Sequence, residues 1–146
     1  MTTFEDLLDA HGAFAYKTKG TSMKPLLKQN RDVITIAKKK ERLKPLDVAL
    51  YKRNSDYVLH RVIKLTKDGY LIRGDNTYAL ENVKEEQVLG VMTALNRNGK
   101  DIKCTDLSYR IYSRLWTAIY LARQTIIKVK RSLIASIRNR NKKENK

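Results

Sequence analysis

A mainly β fold followed by one long basic helix is what this sequence predicts, and three observations predict it. Segments between residues 31 and 95 alternate apolar with polar side chains and are rich in Val, Ile and Tyr, the period of half-buried strands. Turn-forming clusters separate them: N-S-D at 54–56, K-D-G at 67–69 and N-R-N-G-K at 96–100. From Tyr109 to Arg138 the apolar residues instead return every three or four positions, the period of a helix.

In chain order, residues 3–10 read as a short helix. Thr3 is its cap, Phe4, Leu7 and Leu8 share a face, and Gly12 follows its end. Strands are expected in R-D-V-I-T-I-A at 31–37, D-V-A-L-Y-K-R at 47–53 and Y-V-L-H-R-V-I-K-L at 57–65. Two more follow in Y-L-I-R-G-D-N at 70–76 and Q-V-L-G-V-M-T-A-L at 87–95. Pro25 and Pro45 fall in loops, and the lysine run 38–40 reads as a solvated turn. On the final helix, Ile111, Leu115, Ala118, Ala122, Ile126, Val129, Leu133 and Ile137 form one stripe. Arg114, Gln124, Lys128, Arg131 and Arg138 lie opposite. The organisation expected is a domain over 1–108, an amphipathic helical arm over 109–138 and a disordered basic tail over 139–146.

The chain has 146 residues, 42% of them apolar, which is enough for one domain with a core. A single cysteine, Cys104, excludes an intramolecular disulfide, and K-C-T-D with no histidine near it reads as an ordinary strand or loop cysteine. Two histidines and one cysteine do not supply a zinc set, and no cofactor is implied. The first residues carry Glu5, Asp6 and Asp9 without a basic region, unlike a signal peptide. No run approaches the ~18 apolar residues a membrane span needs, so the expected location is cytoplasmic. The net charge of +16 is uneven: residues 109–146 hold eleven Lys/Arg and one acid, Glu144. A basic amphipathic arm suits an anionic membrane surface, here the inner one, though packing on protein or on a second copy would also hide its stripe. Nucleic acid fits the charge but not the apolar face. Oligomeric state is open.

Three short stretches carry chemistry. K-G-T-S-M-K-P at 19–25 places Ser22 between a flexible glycine and a proline. V-L-H-R-V at 58–62 puts Val58, His60 and Val62 on one face of a strand. R-G-D-N at 73–76 offers Asp75 in a turn, with Glu81 a little further on. Taken singly, each is an ordinary loop serine, strand histidine or turn aspartate. Together they hold the minimum for acyl transfer, because a serine hydroxyl needs a base before it can attack.

The order and spacing of G-T-S-M-K-P, R-D-V, L-K-P-L-D-V-A-L-Y, V-L-H-R-V, G-Y-L-I-R-G-D-N and Q-V-L-G-V resemble the signal-peptidase superfamily of serine peptidases. That superfamily includes the self-cleaving SOS repressors (LexA-like). The resemblance covers roughly residues 18–95. It implies a signal-peptidase-like β core and a serine endopeptidase acting on a peptide or protein, with a leader or precursor peptide as the expected substrate. Ser22 matches the nucleophile, and His60 stands where members carry a lysine or a histidine base. Asp75 matches the family's Gly-Asp-Asn aspartate. In histidine-type members an acid about six residues further on is the third member, which here is Glu81, so the two compete. The Ser22 backbone N–H, with Thr21 as a possible helper, would hold the oxyanion. The sequence departs from the family at Gly20, where many members have serine, and at Arg31, where glycine is usual. His11 lies outside the motif block and reads as surface. The alternative is a peptidase-like module without activity, binding peptide, anionic membrane or nucleic acid through its basic tail.

Overall fold

A computed structural model describes residues 2–144. The elements run α1 (Phe4–His11), β1 (Ala13–Lys17), β2 (Asp32–Lys38), β3 (Val48–Arg53), β4 (Asp56–Leu65), β5 (Gly69–Arg73), β6 (Glu81–Lys84), β7 (Val88–Arg97), β8 (Lys100–Lys103) and α2 (Leu107–Glu144). Every strand pairing is antiparallel, in the order β1-β2-β7-β3-β4-β5-β6, with β8 beside β7. The protein is thus mainly β.

Local chemistry accounts for most boundaries. Thr3 caps α1 by accepting from the Asp6 N–H while Asp6 accepts from the Thr3 N–H, and Gly12 closes the helix at φ +72. Three strands are not among those expected: β1 and β8 lie outside the range 31–95, and β6 lies within it. β1 and β6 are short edge strands of five and four residues, too short for alternation to stand out. β8 completes the hairpin announced by N-R-N-G-K, with Asn98 and Gly99 at positive φ. The lysine run divides: Lys38 ends β2, and Lys39 is a half-buried partner of Glu85 rather than a solvated turn residue.

Two clusters make the core. One joins Leu8, Met23, Leu27, Ile36, Leu50 and Tyr109; the other joins Ala49, Tyr51, Val62, Tyr70, Ile72 and Val88. α1 is fastened to the sheet through Glu5, which accepts from Lys52 Nζ at 2.8 Å and from the Tyr57 hydroxyl.

The chain divides into a compact unit ending at Ser113 and a second beginning at Arg114. This boundary lies beyond the expected one at 108, because the first turns of α2 belong to the β unit. Tyr109 is in the core, and Ser113 is bonded to Arg61. The second unit is helix. It continues through Glu144 instead of ending at 138, since Arg, Lys and Glu are good helix formers and extending an existing helix is cheap. Residues 145–146 of the expected disordered tail lie outside the described residues. No helix among the described residues is long and apolar enough to cross a membrane.

Candidate active site

Ser22 is held by its neighbours rather than by its own side chain. After β1, Thr18 is buried and bonds the Lys28 and Asp32 carbonyls at 3.1 and 3.2 Å. Gly20 then turns the chain at φ +80, where a side chain would be strained. The turn that follows is closed by Lys24 N–H to Thr21 O and Leu27 N–H to Met23 O. Met23, Leu26 and Leu27 drive their side chains into the core and leave Ser22 half-buried in a cleft wall. The turn after β5 locks this loop in place. Asn76 N–H donates to Ser22 O at 2.7 Å, and Asn76 Nδ2 to Thr21 O at 3.2 Å. The Ser22 N–H donates to no protein acceptor among the described residues. Thr21 lies outside the cleft wall.

His60 lies on β4, where the register Ala49↔His60 and Tyr51↔Val58 puts Tyr51 diagonally beside it on the same face. The two ends of its ring have different surroundings. A Cβ placed on Gly74 would stand 3.0 Å from His60 Nε2 and 2.7 Å from Ser22 O. Only a glycine therefore lets His60 Nε2 and the Ser22 backbone converge. No hydrogen bond joins the Ser22 hydroxyl to His60 among the described residues. Such contacts are commonly loose before substrate binds. Ser22 and His60 line one cleft of about 640 Å³ together with Glu81 and, on its apolar side, Phe4, Tyr16 and Tyr57.

The other ring nitrogen faces a tyrosine and an acid. The Tyr51 hydroxyl is 3.2 Å from His60 Nδ1 and donates to Glu81 Oε2 at 2.9 Å. Glu81 Oε1 is 3.8 Å from Nδ1, too far for a direct bond, and accepts from Arg53 at 2.9 Å. Asp75 is occupied elsewhere. Both its oxygens are gripped by Arg61, Nε and Nη2 each at 2.7 Å, and the pair is almost wholly buried. Arg61 is completed by Leu46 O and Ser113 Oγ. Of the two competing acids, Glu81 is the one joined to the imidazole, and Asp75 fixes the Gly74 turn to β4.

Burial pushes the His60 pKa below the usual histidine range, with Glu81 offsetting part of the effect. The imidazole is therefore neutral at neutral pH, as a base must be. Burial lifts the Cys104 thiol to about 11, so it is not a reactive thiolate. His11 is exposed at the end of α1. Asp32, beside Arg31, is buried. Burial opposes its ionisation, but bonds from Arg31, the Lys28 N–H and Arg97 hold its carboxyl down to about 2. Arg31 thus neutralises a buried carboxylate.

Sequence reading missed Tyr51, Arg53 and the steric role of Gly74. Tyr51 was visible only as a strand residue, because its position beside His60 depends on the β3–β4 register, which single-strand alternation does not supply. No protein-family model matches the chain, and a search of curated proteins finds no match.

Proposed function

We propose that the protein is a serine endopeptidase of the signal-peptidase type, acting on a peptide or protein through Ser22 and His60. The observation that carries this reading is the convergence on Gly74: the Ser22 backbone and His60 Nε2 both close on this glycine, both residues line one cleft, and the far ring nitrogen is linked through the Tyr51 hydroxyl to the Glu81 carboxylate. In the step proposed, Ser22 Oγ attacks the scissile carbonyl carbon as its proton passes to Nε2. The oxyanion is held by the free Ser22 N–H. Collapse breaks the C–N bond, and Nε2 returns the proton to the departing amine. Water then repeats the sequence on the acyl-enzyme, with His60 again taking and returning the proton. A signal-peptidase-like β core and a precursor-peptide substrate belong to the same proposal, supported by the motif order over residues 18–95.

Turnover of an unstructured protein, with product ends read by mass spectrometry, tests it. Ser22→Ala and His60→Ala should each remove most cleavage, and the double variant should lose little more, because the pair acts as a unit. Cleavage that persists in Ser22→Ala would sink the proposal.

A second reading concerns partners and location. The apolar stripe of α2 is exposed throughout, from 49% at Ile111 to 63% at Ile126, with Leu133 and Ile137 between. An exposed apolar stripe with basic residues on the remaining surface suits a helix lying in the interface of an anionic membrane. We therefore propose reversible attachment to such a surface through 109–138. Sedimentation with vesicles should show binding that requires anionic lipid, weakens with salt and is lost in Ile126→Asp/Leu133→Asp. Binding to nucleic acid that survives those two substitutions, with none to vesicles, would favour the weaker alternative of a nucleic-acid tail.

A further inference from the structure

We infer that Tyr51 is a positioning residue, through which Glu81 sets the proton position on His60. Glu81 thus acts on the imidazole indirectly, with a tyrosine between them. The inference deepens the peptidase reading of the same site, but its first test does not depend on turnover.

Tyr51 has one hydroxyl proton and is buried, with 1% of its surface exposed. Its oxygen is 2.9 Å from Glu81 Oε2 and 3.2 Å from His60 Nδ1. A carboxylate only accepts, so the hydroxyl proton goes to Glu81. The Tyr51 oxygen is then the acceptor for His60, and Nδ1 must carry the ring proton. Neutral imidazole has one such proton, so Nε2 keeps its lone pair, and Nε2 is the nitrogen beside Gly74 and Ser22. Arg53, bonded to Glu81 Oε1 at 2.9 Å, holds the carboxylate in place for this. A direct Glu81–His60 bond would give the same tautomer, but 3.8 Å does not make one.

The arrangement has a consequence that a direct triad lacks. With Glu81 gone, the Tyr51 hydroxyl has lost its acceptor and turns to Nδ1 as a donor. The ring proton must then move to Nε2, where it blocks transfer from Ser22. Glu81→Ala should therefore be more harmful with Tyr51 present than without it.

The experiment is ¹⁵N NMR of His60 at neutral pH in the full-length protein, with turnover measured in parallel. Wild type should show protonated Nδ1, and Tyr51→Phe a loss of that preference. Glu81→Ala should show protonated Nε2, and the double variant should fall back to the Tyr51→Phe mixture. In kinetics, Tyr51→Phe should lower kcat at least ~10-fold with KM little changed. Glu81→Ala should lower it on the order of 10³-fold, toward the loss known for an inverted tautomer in a Ser-His-Asp triad. Adding Tyr51→Phe to Glu81→Ala should recover part of that loss. Protonated Nε2 in wild type, or a tautomer and kcat untouched by Tyr51→Phe, would overturn the inference. A Tyr51-dependent tautomer in a protein with no Ser22-dependent cleavage would uphold the relay and count against the peptidase instead.

Discussion

At the scale of single residues, the two acids separate by what they hold. Asp75 and Arg61 form a buried, bidentate pair, and removing one partner of such a pair typically costs about 3–5 kcal/mol. Asp75→Ala should thus lower the melting temperature sharply, with activity falling in step with folding. Glu81→Ala should leave the melting temperature nearly unchanged and reduce kcat in protein that is still folded. Calorimetry and kinetics on the two variants test this; the opposite pattern would return Asp75 to the orienting role. Gly74→Ala is the second residue test. Its Cβ would stand 2.7 Å from a backbone oxygen, which has little room to move. Cleavage and melting temperature should both fall, because relieving the clash must move the Ser22 backbone or the Gly74 turn and so parts Ser22 from His60. The segments that bring Ser22 and His60 to one cleft were legible in the sequence because each is a compact motif. The choice between Asp75 and Glu81 was not, since both follow the same turn and only their partners across the sheet differ.

Among the elements, the periodic ones were read well. β2, β3, β4, β5 and β7 lie where alternation put them, and α1 lies between the cap and the glycine that define it. β1 and β6 escaped because an edge strand of five or four residues has too few positions to establish a period. α2 began earlier than expected for a tertiary reason: its opening turns serve the β unit through Tyr109 and Ser113. This makes truncation informative. A chain ending after Ser113 should stay folded and keep its cleavage activity. A chain ending before Leu107 should lose cooperative unfolding, because it strips Tyr109 from the core and Ser113 from Arg61. Thermal melts of both chains check this, and equal melting temperatures would show that the helix start adds nothing to the fold.

Over the whole molecule, electrostatics sets two limits on the acid side, one for activity and one for stability. His60 is held below the usual histidine range by burial, so the acidic limb of a kcat/KM profile should lie below that range. Glu81 raises the His60 pKa, so Glu81→Ala should move the limb to still lower pH. For stability the sign follows from linkage. Asp32 and Glu5 are both held down to about 2 in the folded state. Their contribution is complete above the pKa of the unfolded carboxyls and is lost as pH falls toward 2. For buried Asp32 this amounts to roughly 2 kcal/mol. Denaturant unfolding should therefore show stability falling between about pH 4 and 2, with a smaller fall in Asp32→Asn. The charge of +16 bears on partners rather than on fold. Its concentration near the chain's end was plain in the sequence, whereas the exposure of the apolar stripe beside it needed the structure.

Covalent labelling decides whether Ser22 is a nucleophile activated by His60. Wild-type protein treated with a fluorophosphonate should gain one adduct, mapped by mass spectrometry to Ser22. Labelling should be absent in Ser22→Ala, strongly slowed in His60→Ala and unchanged in Cys104→Ala. No adduct on folded wild-type protein, or an adduct at Ser22 forming equally fast without His60, would mean that His60 does not activate Ser22.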